Sequence, residues 1–436
     1  MKQDLRQLTD RLWRGEAAMQ EWNAAISGGS INEVSNDVIC ISETKILGNV
    51  TAIRTHDGLV LVDTGSRETA GIILNAIRTW SSNRIHTIIY THGHIDHTWG
   101  ARLLDQEADA KGVARPRIIA HRNVGERFKR YDVTKGLNTN INGRQFNKAG
   151  YEFPSGHRFP DEIYDDTREL MIGGVRLVLT HGRGETDDAT FVWIPESRIL
   201  VSGDFVVWAF PNAGNPQKVQ RFAPDWVEAL RRMYDLGAET LIPGHGPVVS
   251  GAARVAEMLG SAASLLESIV TQTREMMNEG HKLNEILHRV KAPKHLISKS
   301  YLLPSYDDPE FVVRNIWRLY GGWYDGNPAN LKPAPEAELA KEIAALAGGA
   351  SHLAVRAKTL SDEGRLRVAT HLIELAVAAC PKNKELHGMR ASIYEERAKA
   401  ESALITKGIF AAAQRESEAH ANSNSTTGDI SQAHAM

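Results

Sequence analysis

Two cysteines, Cys40 and Cys380, are all that this chain of 436 residues contains. A pair so sparse and so far apart excludes a disulfide framework and a cysteine-rich metal site, and it suits a reducing compartment. No run of apolar residues is long enough to span a bilayer. The N-terminus, Met1 to Trp13, carries charges throughout and lacks the continuous apolar core of a secretory signal. The cytoplasm is therefore the expected location. Neither sign of charge prevails: the formal net charge is -2, which excludes a chain-wide basic footprint and leaves nucleic acid out of the expected partners. With 42% hydrophobic and 24% charged residues the composition is that of a globular protein, and the length predicts two or three domains.

What the chain does have is a dense group of ligand-type side chains. Tyr90-Thr-His-Gly-His-Ile-Asp-His97 sets three histidines and an aspartate directly after the apolar run from Ile85, which reads as a buried strand. Imidazole and carboxylate are ligands that zinc prefers, and a strand puts residues i and i+2 on one face, so His92 and His94 can share an ion. Asp96 and His97 lie past the turn and suit a second ion. Two metals roughly 3.5 to 4 Å apart are a known means of generating hydroxide at neutral pH. The cluster points to hydrolysis.

Around it, β-type runs at Val38–Ile41, Val50–Ile53 and Leu59–Val62 form a meander, and Glu68 to Trp80 has helical spacing. A strand at Arg117–Ala120 precedes a polar stretch, Arg122 to Gly156, that reads as a loop-rich insertion. Runs at Leu170–Ile172, Val175–Leu179, Thr190–Trp193 and Ile199–Val201 form a second sheet, followed by a helix from Asp225 to Leu236 and a strand Thr240–Ile242. Beyond Ala252 only helical periodicity remains. Gly364 to Lys399 holds two amphipathic helices joined at Cys380-Pro-Lys-Asn-Lys, a pair that has to pack on neighbours or on another subunit. The expected division is a helical extension at 1–36, a catalytic domain at 37–250, a helical domain at 251–418 and a disordered Ser/Asn/Thr/Ala-rich tail at 419–436.

Further candidates stand at strand ends. Asp63, in Leu61-Val-Asp-Thr-Gly65, suits a role behind the ligands, orienting a histidine. Thr180 to Asp188 offers His181, Glu185, Asp187 and Asp188. Ser202-Gly-Asp204 supplies a carboxylate able to bridge two ions, and Gly244-His-Gly246 presents His245. Singly, such Gly-flanked triplets are more often turns. Their order carries more weight.

Asp-Thr-Gly, His-x-His-x-Asp-His, a ligand in a Gly-rich loop, Gly-Asp and then Gly-His resembles the metallo-β-lactamase superfamily over about residues 37 to 250. The resemblance implies an α+β fold, an αββα sandwich with a dinuclear metal site at one edge. At the third motif this chain has Gly184-Glu-Thr186, as in alkyl sulfatases of the superfamily. The residues alone leave His181 and Glu185 level; the resemblance favours Glu185, in a first site with His92 and His94. Asp96, His97 and His245 then hold the second ion, with Asp204 between the two, and Asp96 and Asp204 are the carboxylates at the centre of the chemistry. Trp317 to Leu331, with the helix pair from Glu363 to Lys399, is similar to an alkyl sulfatase dimerisation domain, which implies a homodimer.

Two Zn2+ per chain are expected, iron or manganese also suiting mixed imidazole and carboxylate ligands. The implied substrate is a small anionic sulfate ester, attacked by metal-activated water; another ester, an ether, a phosphodiester or a lactone is the alternative. An anionic head requires donors, and Phe210 to Arg221 offers Asn212, Asn215, Lys218 and Arg221. The resemblance implies an Asn and a cation there, Asn212 with Lys218 or Arg221, while Tyr131 and Tyr151 are further candidates for touching the substrate. Relatives continue into a sterol-carrier-like domain, which this sequence is expected to lack.

Overall fold

The computed structural model describes residues 4–43 and 48–423. They form two compact units, one of the described residues up to 139 with 152–326, the other of 140–151 with 327–423.

The first unit contains two sheets. In one, β1 (Ser30–Ser35), β2 (Val38–Ser42), β3 (Val50–Thr55), β4 (Gly58–Val62), β5 (Ile85–Ile89), β6 (Arg117–His121) and β7 (Glu162–Tyr164) lie side by side in chain order. Pairing is antiparallel up to β4 and parallel from there on. The other runs β8 (Thr167–Ile172), β9 (Val175–His181), β10 (Thr190–Ile194), β11 (Ile199–Val207), β12 (Thr240–His245) and β13 (Val249–Ser250), with β11 and β12 parallel.

Side chains alternate across a strand, and that alternation builds the layers. Along β2, Val38 and Cys40 join Ile194, Val201 and Ile242 of the second sheet. Ile39 and Ile41 point the other way, toward Ile73 and Ile77 of the helix Ala70–Trp80 and Leu104 of the helix Ala101–Ala110. Leu200, Phe205 and Leu241 leave the far face of the second sheet to meet Trp226 and Leu230 of the helix Ala223–Asp235. Each sheet is covered on both faces, so the expected αββα sandwich is present, and strands such as β4 are apolar throughout.

Three segments differ from the sequence reading. Within the supposed N-terminal extension, helices Leu5–Trp13 and Met19–Ala25 are followed by β1, a strand of the sheet whose sequence, Ser-Ile-Asn-Glu-Val-Ser, has too few apolar residues to reveal it. The stretch from Arg122, read as loop-rich, folds into helices Arg122–Val133 and Lys135–Gln145. Helical spacing was hidden because the first buries only Val124, Arg127 and Phe128, and its charged member is paired internally. Finally, strands cease at Ser250 but the compact unit continues to Gly326. Helix Ala252–Asn278 and helix Pro309–Gly321 insert Leu265, Leu266, Ile269, Val312 and Ile316 into the cluster that holds Trp226, so they complete a core that began in the sandwich.

The second unit stacks helices Glu336–Leu346, Ala350–Asp362, Leu366–Ala379, Lys384–Lys399 and Leu404–Asn422. The foreseen pair is the third and fourth of these, and Asn383 caps the latter. Its neighbours supply the burial that it requires: Ala340, Ala354 and Ala357 of the preceding helices share a cluster with Ala369 and Ala376 of the pair, and these small residues permit close approach. Of the tail expected at 419–436, residues 419–422 are helical instead, and residues 424–436 lie outside those described. Among the described residues no helix is long and apolar enough to cross a membrane.

Candidate metal centre

The ligand-type residues converge where strands end. Beyond β5 the chain passes through Thr91 to His94 and enters a short helix, Ile95–Thr98, that carries Asp96 and His97. Asp204 lies within β11, and His245 ends β12, which runs parallel beside it.

Two groups result. Donor atoms of His92, His94 and Asp204 lie within 4.8 Å of one another, as do those of Asp96, His97 and His245. In the first, His92 Nε2 is 2.9 Å from His94 Nδ1 and 3.6 Å from Asp204 Oδ2. In the second, His245 Nε2 is 3.5 Å from Asp96 Oδ2 and 3.3 Å from His97 Nε2. The other oxygen of Asp204, Oδ1, stands 3.3 Å from both His97 Nε2 and His245 Nε2. One carboxylate thus faces both groups. Gly244 permits this, because a Cβ there would come within 2.1 Å of Asp204 Oδ1.

Asp63 fixes the outer sides of the imidazoles. It accepts from the Thr91 N–H and hydroxyl, both at 2.7 Å, and its Oδ2 is 2.7 Å from His97 Nδ1. Since Thr91 Oγ1 gives its proton to Asp63, it accepts from His92 Nδ1 at 3.0 Å, which turns the lone pair of His92 Nε2 inward. Asp63 reaches this position with a left-handed backbone, φ 65°, unusual for a non-glycine residue. The His245 turn is held from the first sheet: Asn49 Nδ2 donates to the carbonyls of Pro243 and Gly246, both at 2.9 Å.

Burial disfavours protonation of His92 and, more strongly, of His94, and each also feels a neighbouring imidazole, so both are neutral lone-pair donors. At His97 and His245 burial acts likewise, but Asp204 and Asp96 outweigh it and raise both. Burial also works against the charge on Asp204, yet His245, His97 and His92 hold it well below the usual carboxylate range.

Of the two level candidates, Glu185 comes to the first group and His181 does not. Glu185 Oε1 lies 3.9 Å from His94 Nδ1 and is gripped by Asn212 Nδ2 and Arg221 Nη1, each at 2.5 Å. Burial raises its carboxyl to about 7, against the pull of Arg221. His181 instead bonds through Nδ1 to the Ala189 carbonyl at 2.9 Å and stacks on His121 with 3.7 Å between ring centroids. Lys218 lies within electrostatic reach of Glu185 and Asp96, and burial together with Arg221 pushes its ammonium down to about 7. Tyr151 belongs to the second unit, where the Lys148 ammonium stands 5.8 Å from its ring centroid. Tyr131, in the first unit, packs its ring against Phe153 and His157.

Two residues here were invisible to sequence reasoning. Arg127 Nε donates to Asp188 Oδ2, which also accepts the N–H of Gly93 between the two histidines of the first group. Tyr306 adds a hydroxyl made harder to ionise by burial and by Glu185 and Asp96. No motif surrounds either residue.

These side chains fit divalent metal ions. Inward lone pairs of neutral imidazoles, flanking carboxylates and a buried Asp204 Oδ1 with no hydrogen-bond partner are what a cation would satisfy. An uncompensated cluster of this kind is costly to bury.

The metallo-beta-lactamase superfamily matches residues 44–245. The alkyl sulfatase dimerisation family matches residues 282–420, so the chain carries a metallo-beta-lactamase domain followed by an alkyl sulfatase dimerisation domain. A linear primary-alkylsulfatase of Pseudomonas sp. is 28% identical over 364 residues, 78% of this chain and 68% of that protein. An (R)-specific secondary-alkylsulfatase of Pseudomonas sp. is 29% identical over 80% of this chain and 56% of its own length, and an alkyl/aryl-sulfatase of Saccharomyces cerevisiae 26% over 80% and 58%. This chain thus spans little more than half of the latter two. The solved sec-alkylsulfatase Pisa1 from Pseudomonas sp. shares the fold, with a TM-score of 0.79 at 24% identity, covering 89% of this chain and 66% of that one.

Proposed function

We propose that this protein is a metal-dependent hydrolase of sulfate esters that uses two metal ions, zinc by ligand preference. The observation that carries the dinuclear reading is Asp204, whose two oxygens face the two donor groups separately. His92, His94 and Glu185 would hold one ion, Asp96, His97 and His245 the other, with Asp204 shared. When bound, such ions supply Lewis acidity and a water acidic enough to deprotonate near neutral pH.

The chain's own residues receive the anion. Asn212 lies at the edge of the first group, and the Lys218 ammonium is loosened by burial and then by Arg221, so an anionic head beside it would favour the charged form. Arg221, with Nη1 on both the Glu185 side chain and its carbonyl, orients Glu185. Asp96 and Asp204 keep the histidines of the second group turned inward. Sulfate leaves readily as an anion, so cleavage of the C–O bond requires little proton donation. The named activities of the alkylsulfatase relatives support this class of substrate.

Purified protein would be assayed on short and long alkyl sulfates alongside phosphodiester and lactone probes, with metal counted per chain. Turnover of a sulfate ester with about two ions per chain is expected; inactivity on every sulfate would reject the reading. Hydrolysis in 18O-labelled water should place the label in the alcohol. A homodimer is also proposed from the dimerisation domain, and light scattering at micromolar concentration tests it.

A further inference from the structure

The segment Pro211 to Gln220 has no regular secondary structure, yet it delivers Asn212 and leads into Arg221, which both meet Glu185 Oε1 at 2.5 Å. Something other than a strand or helix has to fix it. We propose that Asp307 and Asn315 are positioning residues, which clamp Gly214 and so hold this anion-binding loop in register with Glu185.

Both backbone groups of Gly214 are taken by buried side chains. Its N–H donates to Asp307 Oδ2 at 2.6 Å, and its carbonyl accepts from Asn315 Nδ2 at 2.5 Å. Asp307 is 0% exposed and Asn315 5%, so neither bond competes with bulk water. The far end of the loop returns to the same side chain, since Asn315 Oδ1 accepts the N–H of Arg221 at 3.4 Å. Gln220 Nε2 adds a bond to the Asn315 carbonyl at 2.9 Å, and Arg318 Nε one to Gln220 Oε1 at 2.7 Å. The approach is close enough to demand glycine: a Cβ on Gly214 would lie 2.4 Å from Val312 N and 2.5 Å from the Phe311 carbonyl carbon. Asp307 and Asn315 fall in the stretch matched by the dimerisation family, yet they pack within the first unit beside the metal centre. Part of that stretch therefore supports the loop from within the first unit.

This proposal rests on the reading of the loop as an anion-contact segment. Asn315→Ala removes the donor and the acceptor together; Asn315→Asp keeps size and acceptor but loses the donor to Gly214; Gly214→Ala forces the loop off the helix. Amide exchange over residues 211–221, the dissociation constant for inorganic sulfate and metal content would be measured on the full-length metal-loaded protein. Asn315→Ala and Gly214→Ala are expected to lose protection in 211–221 and to weaken sulfate binding and raise KM roughly ten- to a hundredfold, with metal content and kcat changed far less. Asn315→Asp should fall between them and wild type. Wild-type exchange in 211–221 for the two severe variants, or equal loss of protection across the whole first unit, would overturn the clamp. Wild-type protein that binds no sulfate while the variants still lose local protection would overturn the anion reading and leave the clamp standing.

Discussion

Arg127 Nε donates to Asp188 Oδ2 across 2.7 Å with both side chains buried, and the same carboxylate oxygen accepts the Gly93 N–H at 3.0 Å. An ion pair therefore braces the peptide between His92 and His94. Arg127→Met should leave Asp188 as an unpaired buried charge and destabilise the first unit by about 3 to 5 kcal/mol, measured by urea unfolding. A loss within the range of surface substitutions would count against the brace.

The pair also sets an acid limit. Burial alone would push the Asp188 carboxyl up, but Arg127 prevails and holds it down at about 2. A carboxyl depressed on folding adds stability that is present above its unfolded pKa, near 4, and lost as pH falls toward 2. Asp188→Asn, compared with wild type, should therefore flatten the decline in stability between about pH 4 and 2. Parallel acid unfolding curves for the two proteins would refute this.

Asp63 bonds Thr91 and the outer ring nitrogen of His97, on the side away from the other donors of the second group. Asp63→Ala should weaken metal affinity by roughly 10- to 100-fold while sparing the fold. Competition with a metallochromic chelator gives the affinity, and circular dichroism checks the fold.

Glu185 and His181 separate cleanly in space, so their variants should separate in metal content. Glu185→Ala is expected to lose up to one ion per chain by elemental analysis, whereas His181→Ala retains the wild-type complement. The reverse result would hand the first group to the histidine.

The two thiols should differ in reactivity. Cys40 is buried and burial pushes its thiol up to about 12, whereas Cys380 is exposed. A thiol reagent should titrate one group in native protein and both after denaturation; two fast groups in the native state would contradict the packing between the sheets.

Strand patterning carried the two sheets, because strands buried on both faces, such as Gly58–Val62, are apolar at every position and turn residues bound them, whereas their packing as an αββα sandwich was implied by the motif resemblance. It failed where burial uses few aliphatic residues. The helix Arg122–Val133 is anchored by a buried arginine, and four of the six residues of β1 are polar, so neither showed a period. The units also divide later than the change from strand to helix, since Val312 and Ile316 read as any helical apolar stripe would, without naming the core that they fill.

The order and type of the candidate ligand residues were legible in the chain itself: His92 and His94 share one strand extension, and Asp96 and His97 the helix turn that follows, so short-range geometry brings them near one another. Everything that depends on distant segments meeting was left to tertiary structure. Only the parallel pairing of β11 with β12 brings His245 to Asp204, and only packing of the helix Pro309–Gly321 puts Asn315 on Gly214. Glu185 and His181 stand four positions apart, and a strand end that turns one inward and leaves the other stacked on His121 distinguishes them. A side chain's chemistry is local, but the company it keeps is fixed by which buried surfaces fit together.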